Sequence, residues 1–242
     1  METGKYHEMA DIENRHWWFR GRRYLFRSVL EDMQLPPDAH ILELGCGTGG
    51  NLSMLQSFGE VFAVEMNEFS REHARMSTGV DVQYGKLPDM IPYEGKRFDL
   101  ICMFDVLEHI KNDAEALAVL RSRLSPGGRM LLTVPATKWM FGQHDKMFHH
   151  FRRYTSRELS DKISGAGWEL LALSYFNTLL FPLAVFARLL DIVSFGDNST
   201  GMKVPPTAIN QLFYRVFRKE KTLLKKSLFP FGLSLMAIAC VS

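Results

Sequence analysis

Two stretches of the chain carry side chains whose type and spacing suit chemistry. The first, ILELGCGTGG at residues 41–50, runs from apolar residues through Glu43 into Gly45, Gly47 and Gly49. Glycine lets the backbone turn sharply and approach a ligand closely, where any Cβ would collide. A helix that starts after this turn would point free N–H groups at the same ligand. The pattern predicts a nucleoside-cofactor site, and an ordinary strand-to-helix turn is the simpler alternative.

Two classes of nucleoside cofactor need such a turn. Gly45, Gly47 and Gly50 match the dinucleotide fingerprint G-x-G-x-x-G, which indicates an NAD(P)-dependent oxidoreductase. Glu65 ends the next apolar run, VFAVE, and a carboxylate about twenty residues after the first glycine accepts ribose hydroxyls in either class. The glycines and Glu65 therefore predict a nucleoside without choosing its class.

The segment FDLICMFDVLEHI, residues 98–110, favours one class by resemblance. A predicted buried strand ends in D-V-L-E-H and is followed by a helix and by LSPGGRMLLTVP, a turn and another strand. Together with E-x-G-x-G-x-G at residues 43–49, these segments resemble the class I S-adenosylmethionine (SAM)-dependent methyltransferases, in the same order over residues 40–135. The resemblance implies SAM as the cofactor, S-adenosylhomocysteine as the product and methyl transfer by direct displacement.

The resemblance also assigns cofactor contacts to the loops at the strand ends. In that family a carboxylate at the position of Glu43 lies near the methionine end of SAM, where negative charge suits the ammonium and the sulfonium. Lys86 stands where the family often carries an acid beside the adenine ring, so backbone groups of residues 85–87 must contribute more here. His109 is interpreted as structural. The implied cofactor-binding residues are Glu43, Gly45, Cys46, Gly47, Gly49, Glu65, Met66, Gly85, Lys86, Leu87, Asp105 and Val106.

Length and patterning indicate one α/β domain. The 242 residues are 12% aromatic and 23% charged, which argues against disorder. Five apolar runs alternate with helical patterns and two more strands follow, so we predict a Rossmann-like, mostly parallel seven-stranded sheet with helices on both faces. The resemblance adds an antiparallel last strand. The predicted parts are an N-terminal helical lid at 1–35, a SAM-binding core at 36–176, a helical insertion between strands six and seven at 177–230, and a final strand at 231–242.

Charge and cysteine content limit the partners and the compartment. The formal net charge of +2 is too small to indicate nucleic-acid binding. The three cysteines are scattered, without the spacing of a metal site or a disulfide framework. With no secretory signal at the N-terminus, these features predict a cytoplasmic protein, and they leave its oligomeric state open.

The second chemistry-bearing stretch, residues 134–155, follows the fifth predicted strand. Its H-D and H-x-R-R-Y elements resemble a pattern of bacterial methyltransferases associated with polysaccharide and lipid-linked biosynthesis. A neutral histidine is the usual base for a hydroxyl proton, so His144 and His150 are the candidate bases and Asp145 is the residue that orients one of them. Satisfied structural hydrogen bonds are the alternative for each histidine.

The same stretch supplies candidates for acceptor binding. Arg152 and Arg153 are suited to clamp a carboxylate or phosphate, and a salt-bridged loop is the structural alternative. Tyr154 completes this predicted acceptor site.

Metal binding is the other chemistry that this stretch suggests. His144, Asp145, His149 and His150 are metal-ligand types. Adjacent histidines of one loop rarely converge on one ion, and no cysteine cluster assists them, so the sequence predicts no metal site.

The N-terminal segment is unusually aromatic. Tyr6, His16, Trp17 and Trp18 resemble the family's N-terminal lid, which implies contact with the acceptor. Packing of the two tryptophans against the sheet is the alternative.

The segment between the last two strands is apolar and then basic. Pro182, Arg188 and Asp191 interrupt its apolar run, so a membrane-spanning helix is not predicted. Between Lys203 and Lys226 it has seven basic residues and one acid. Such a segment is expected to cap the active site, to bury a dimer face, or to dock on a membrane surface through residues 178–226.

The sequence as a whole predicts a methyltransferase for a small-molecule or lipid-linked acceptor, acting at oxygen. An NAD(P)-dependent oxidoreductase and a non-catalytic protein of the same fold that binds a membrane or a partner are the alternatives.

Overall fold

A computed structural model describes residues 3–186, 203–224 and 229–241. Seven strands form one sheet: β1 (His40–Leu44), β2 (Glu60–Val64), β3 (Asp81–Gln83), β4 (Phe98–Phe104), β5 (Leu124–Pro135), β6 (Glu169–Phe176) and β7 (Ser234–Cys240). Their order is β3-β2-β1-β4-β5-β7-β6, and β7 pairs antiparallel with both β5 and β6. The other neighbouring strands pair in parallel. The predicted Rossmann-like sheet with an antiparallel last strand is confirmed.

Helices connect the strands in the alternating order that the sequence predicts. They are α1 (Thr3–Ile12), α2 (Trp17–Met33), α3 (Leu52–Leu55), α4 (Glu68–Thr78), α5 (Asp113–Leu120), α6 (Gln143–Met147), α7 (Ser156–Gly165) and α8 (Thr207–Leu224). Short 3₁₀ turns cover Leu107–His109, Arg121–Arg123 and Lys138–Met140.

The sheet is covered on both faces, which explains why its central strands are almost continuously apolar. In β4, Ile101 and Met103 pack into the cluster that contains α5 and α7 residues, whereas Leu100 and Cys102 face the cluster that contains α2 and α8 residues. Alternate side chains of a strand point to opposite faces, so one strand contributes to both halves of the core.

The described chain between β6 and β7 is helical at residues 181–186 and in α8. Helix α8 packs closely on α2, because a Cβ on Gly21 would lie 2.2 Å from the ring of Phe217. Glu220 accepts the backbone N–H groups of Asn177 and Leu179 at 2.7 and 2.8 Å, which fastens α8 to the end of β6.

Part of the predicted membrane-docking segment 178–226 lies outside the described residues, namely 187–202, which include Arg188 and Asp191, and 225–226. Across the parts of the chain that the structure describes, no helix combines the length and apolar character needed to cross a bilayer.

Candidate active site

The glycine turn follows β1 and is held against β2. The N–H groups of Gly45 and Cys46 both donate to the carbonyl of Val64, at 2.8 and 3.1 Å. Gly45 has a φ of 67°, in the left-handed region, and an added Cβ would lie 2.7 Å from Val106 Cγ2. Any residue other than glycine would therefore be strained and would collide with the loop after β4.

Two buried carboxyl groups flank the turn. Glu65 accepts the N–H groups of Gly47 and Asn67 at 2.9 and 2.8 Å, which fixes both of its oxygens. Glu43 accepts one hydrogen bond from the Asn51 side chain at 2.9 Å, and its Oε2 has no hydrogen-bond partner among the described residues. Burial raises the pKa of Glu43 to about 8. Glu43 thus offers one buried oxygen for a positively charged partner.

A third carboxylate lies after β4. Asp105 has a φ of 56° and lies 2.7 Å from the guanidinium of Arg22, which reaches it from α2. The Thr133 hydroxyl also donates to Asp105, at 3.2 Å. The N-terminal segment is therefore tied to the strand edge by an ion pair as well as by packing.

Residues of α1 and the residue directly after it contact the glycine turn. The Thr48 hydroxyl donates to the carboxylate of Glu13 at 2.8 Å, and Arg23 donates to the Glu13 carbonyl at 2.8 Å. Burial and the neighbouring Glu65 carboxylate raise the pKa of Tyr6 to about 12. Tyr6 is therefore close to the ribose-binding carboxylate predicted from the sequence.

The histidine-rich stretch is organised around a single buried acid. Asp145 is 0% exposed and accepts hydrogen bonds from the Gly142 N–H at 2.9 Å, from His150 Nδ1 at 3.0 Å and from Arg153 Nε at 2.8 Å. Burial opposes ionisation, but these hydrogen bonds outweigh it and lower the pKa of Asp145. Asp145 is thus an ionised anchor that holds His150 and Arg153.

His150 meets the end of the D-V-L-E-H segment. Its Nε2 lies 4.0 Å from Glu108 Oε1, and its ring packs edge-on against His109 with centroids 4.6 Å apart. Glu108 is fully buried, and burial raises its pKa. Desolvation, followed by the nearby His150, lowers the pKa of His109 to about 4. We call Glu108, His109 and His150 the His-Glu cluster.

Comparison with known proteins decides the family. A family model described as "Methyltransferase domain" matches residues 17–173, more than half of the chain. The chain belongs to the class I SAM-dependent methyltransferases. This assignment confirms SAM as the cofactor and excludes the dinucleotide alternative for the glycine turn.

Individual relatives of this methyltransferase are distant. A probable S-adenosylmethionine-dependent methyltransferase of Mycolicibacterium smegmatis is 23% identical over 163 residues, which are 66% of this chain and 62% of that protein. A ubiquinone biosynthesis O-methyltransferase of Xanthomonas axonopodis pv. citri is 26% identical over 156 residues, 56% of this chain and 64% of that protein. The chain thus spans only part of the length of these curated relatives.

A solved structure gives the same fold. The Haloferax volcanii methyltransferase in complex with the Trm112 methyltransferase activator is 17% identical, with a TM-score of 0.63 over 99% of this chain and 94% of that chain. At this identity the likeness concerns the fold alone.

The residues around the turn of this methyltransferase fit SAM. The unpaired buried oxygen of Glu43 suits the ammonium of the cofactor, and the open left-handed turn at Gly45 leaves space where a Cβ would intrude. SAM supplies a methyl group that its sulfonium has already activated. The chain must hold the cofactor, align an acceptor and exclude water.

The other residues predicted to bind the cofactor differ in their accessibility. Met66 is 57% exposed and Lys86 is also exposed, whereas Cys46 is buried and burial raises the pKa of its thiol. A Cβ on Gly85 would lie 2.6 Å from Val64, so this glycine is required by close packing. The roles of these residues in cofactor binding stay predictions.

Three of the residues predicted to bind the acceptor at the N-terminus lie where they support the fold. His16 caps α2 by accepting the Trp18 N–H at 3.2 Å. The Trp17 ring packs edge-on against Phe213, and the Trp18 ring stacks on Phe217, with centroids 5.4 Å apart in each case. These contacts join α2 to α8 and favour the packing alternative over contact with the acceptor.

The Arg-Arg-Tyr element is likewise engaged in internal bonds. Arg152 lies 2.6 Å from Asp113, and the hydroxyl of Tyr154 donates to Asp113 at 2.9 Å. Tyr154 is 1% exposed, so its hydroxyl is committed to the core. Arg153 is bound to Asp145, and His144 is exposed with its ring centroid 6.3 Å from that of His150. This placement favours support of the loop by the two arginines and Tyr154 over an acceptor clamp.

Glu108 is the residue of this region that sequence reasoning missed, and His109 was interpreted as structural although it faces His150. The order of the strands does indicate that these residues lie close together. Residues 108–109 follow the end of β4, and the loop with His150 follows the neighbouring β5. The carboxyl ends of adjacent parallel strands share one edge of a sheet.

Proposed function

We propose that this methyltransferase transfers the methyl group of SAM to a hydroxyl oxygen of a small-molecule or lipid-linked acceptor. The observation that carries the proposal is the hydrogen bond from His150 Nδ1 to Asp145 at 3.0 Å. It puts the ring proton on Nδ1 and leaves the lone pair of Nε2 on the side of the ring near Glu108. A hydroxyl must lose its proton as its oxygen is methylated, and this lone pair is the group suited to receive it.

The surroundings of His150 support this role. Asp145 is held by three donors, so the imidazole cannot swing away without breaking a buried ionic network. His150 itself is partly buried, and 10% of its side chain remains exposed to solvent. His144, which is exposed and has its ring centroid 6.3 Å from that of His150, is retained as a second candidate base.

The lipid-linked form of the acceptor is supported by apolar surface. Leu183 and Phe186, in the helical residues 181–186, are 47% and 59% exposed, and Leu212 on α8 is 56% exposed. Relatives named ubiquinone biosynthesis O-methyltransferases support transfer to oxygen. We propose that this surface receives an apolar acceptor or the membrane that contains it.

Paired acceptors test the proposal. The purified protein and methyl-labelled SAM are incubated with hydroxylated compounds, with their amine analogues and with polyprenyl-linked hydroxyl acceptors in vesicles. We expect S-adenosylhomocysteine release with hydroxyl acceptors, and a methoxy signal in the carbon NMR spectrum of the product. Methylation of the amines alone, or of carbon, would contradict the proposed O-methylation.

A further inference from the structure

The His-Glu cluster has the composition and spacing of a metal site. Donor atoms of Glu108, His109 and His150 all lie within 4.8 Å of one another. Two ligand atoms on one tetrahedral ion lie roughly 3.3 Å apart, so side-chain shifts of about an ångström would bring the three donors onto one ion. The three residues come from two loops at adjacent strand ends, which fixes their approach from different directions.

The carboxyl group of Glu108 is the second observation that points to a ligand. It is 0% exposed, and within the described parts of the chain neither of its oxygens has a hydrogen-bond partner. Buried polar atoms are nearly always satisfied, because an unpaired one costs free energy. Glu108 Oε1 faces His150 Nε2 at 4.0 Å, too far for a hydrogen bond and suitable for an atom between them.

The environment of His150 matches that of a metal ligand. Metal-bound histidines commonly donate their second ring N–H to a carboxylate, which fixes the ring and its tautomer. Asp145 accepts that hydrogen bond here, and Arg153 and the Gly142 N–H hold Asp145 in turn.

We propose that Glu108, His109 and His150 bind one divalent transition-metal ion. Two imidazoles and one carboxylate suit zinc, cobalt or iron(II) better than magnesium or calcium, which prefer oxygen ligands. This ligand set differs from His144, Asp145, His149 and His150, the set considered from the sequence. Asp145 is not a ligand here, because it already accepts hydrogen bonds from Arg153 and from the Gly142 N–H.

The ion would deepen the proposed function. Three protein ligands leave a position open, and an acceptor hydroxyl in that position loses its proton more readily. In that state His150 would be a ligand, the hydroxyl held at the open position would lose its proton to water, and its oxygen would take the methyl group as the carbon–sulfur bond of SAM breaks and S-adenosylhomocysteine leaves. The activation of an acceptor hydroxyl by the ion rests on the proposed function, whereas the binding of the ion to the three residues does not.

Cobalt(II) is the probe that tests the site. Full-length protein is treated with a chelator, dialysed and titrated with Co²⁺ by calorimetry and by visible absorption. We expect one ion per chain, ligand-field bands in the visible spectrum, and at least about a tenfold loss of affinity in Glu108→Gln, His109→Ala and His150→Ala. Glu108→Gln keeps the volume of the side chain, and circular dichroism checks that each variant is folded.

Two control variants exclude surface binding. His149→Asn changes the adjacent histidine at a φ of 58°, which asparagine tolerates, and His40→Ala removes a surface histidine beside Glu60. Both are expected to bind Co²⁺ like the parent protein. Equal affinity in the three cluster variants, or loss of binding in the controls alone, would overturn the site.

Activity separates the site from the proposed function. Bound Co²⁺ with only amine methylation would retain the site and reject O-methylation. O-methylation that persists at full rate in chelator-treated protein, with no Co²⁺ binding, would reject the site and retain the function.

Discussion

Asp145→Ala is expected to lower the free energy of unfolding by about 3–5 kcal/mol, since removing one partner of a buried ion pair leaves the other charge uncompensated. Arg153 would lose its carboxylate, and the Gly142 N–H and His150 would lose their acceptor. For a domain of this size the loss corresponds to a decrease in Tm of roughly 6–20 °C, measured by circular dichroism or calorimetry.

An exposed acid provides the matched control. Asp161 lies 3.9 Å from Arg157, and the two side chains are 72% and 91% exposed. Asp161→Ala is expected to change stability by less than about 1 kcal/mol, because solvent screens such a pair. Equal decreases in Tm for the two variants would show that Asp145 does not anchor the loop that carries His150 and Arg153.

Gly45→Ala is expected to weaken SAM binding by roughly 5- to 150-fold, because about 1–3 kcal/mol of strain must be relieved by moving the turn. The new Cβ would meet Val106 Cγ2 at 2.7 Å, and valine is stiff about χ1 and cannot easily rotate away. Calorimetric titration with SAM and with S-adenosylhomocysteine measures the effect.

Gly79→Ala separates backbone strain from collision. Gly79 ends α4 with a φ of 71°, close to that of Gly45, and an added Cβ there would have no atom of the described residues within 4 Å. The variant is expected to be somewhat less stable and to bind SAM normally. If both variants bind SAM equally well, the turn is not the cofactor site.

The fold was largely predictable because its signals are local. Apolar runs and turn residues repeat along the chain, and each lies within a few residues of the element that it specifies. Helix α3 is the exception. The helix expected directly after the glycine turn is only Leu52–Leu55, because the turn occupies its beginning.

The candidate site was predictable only in part, because its contacts join distant residues. Arg152 and Arg153 fit an acceptor clamp and a set of ion-pair partners equally well, and periodicity does not reveal that Asp113 and Asp145 lie beside them. The same limit hid the approach of Glu108 to His150, which depends on the order of β4 and β5 in the sheet.

Steady-state kinetics of His150→Ala test most directly the claim that the loop carrying His150 performs the acceptor chemistry. With a hydroxyl acceptor, kcat is expected to fall by roughly 10²- to 10⁴-fold while the Kd for SAM stays within about twofold. An unchanged kcat, or a loss confined to SAM affinity, would contradict the account.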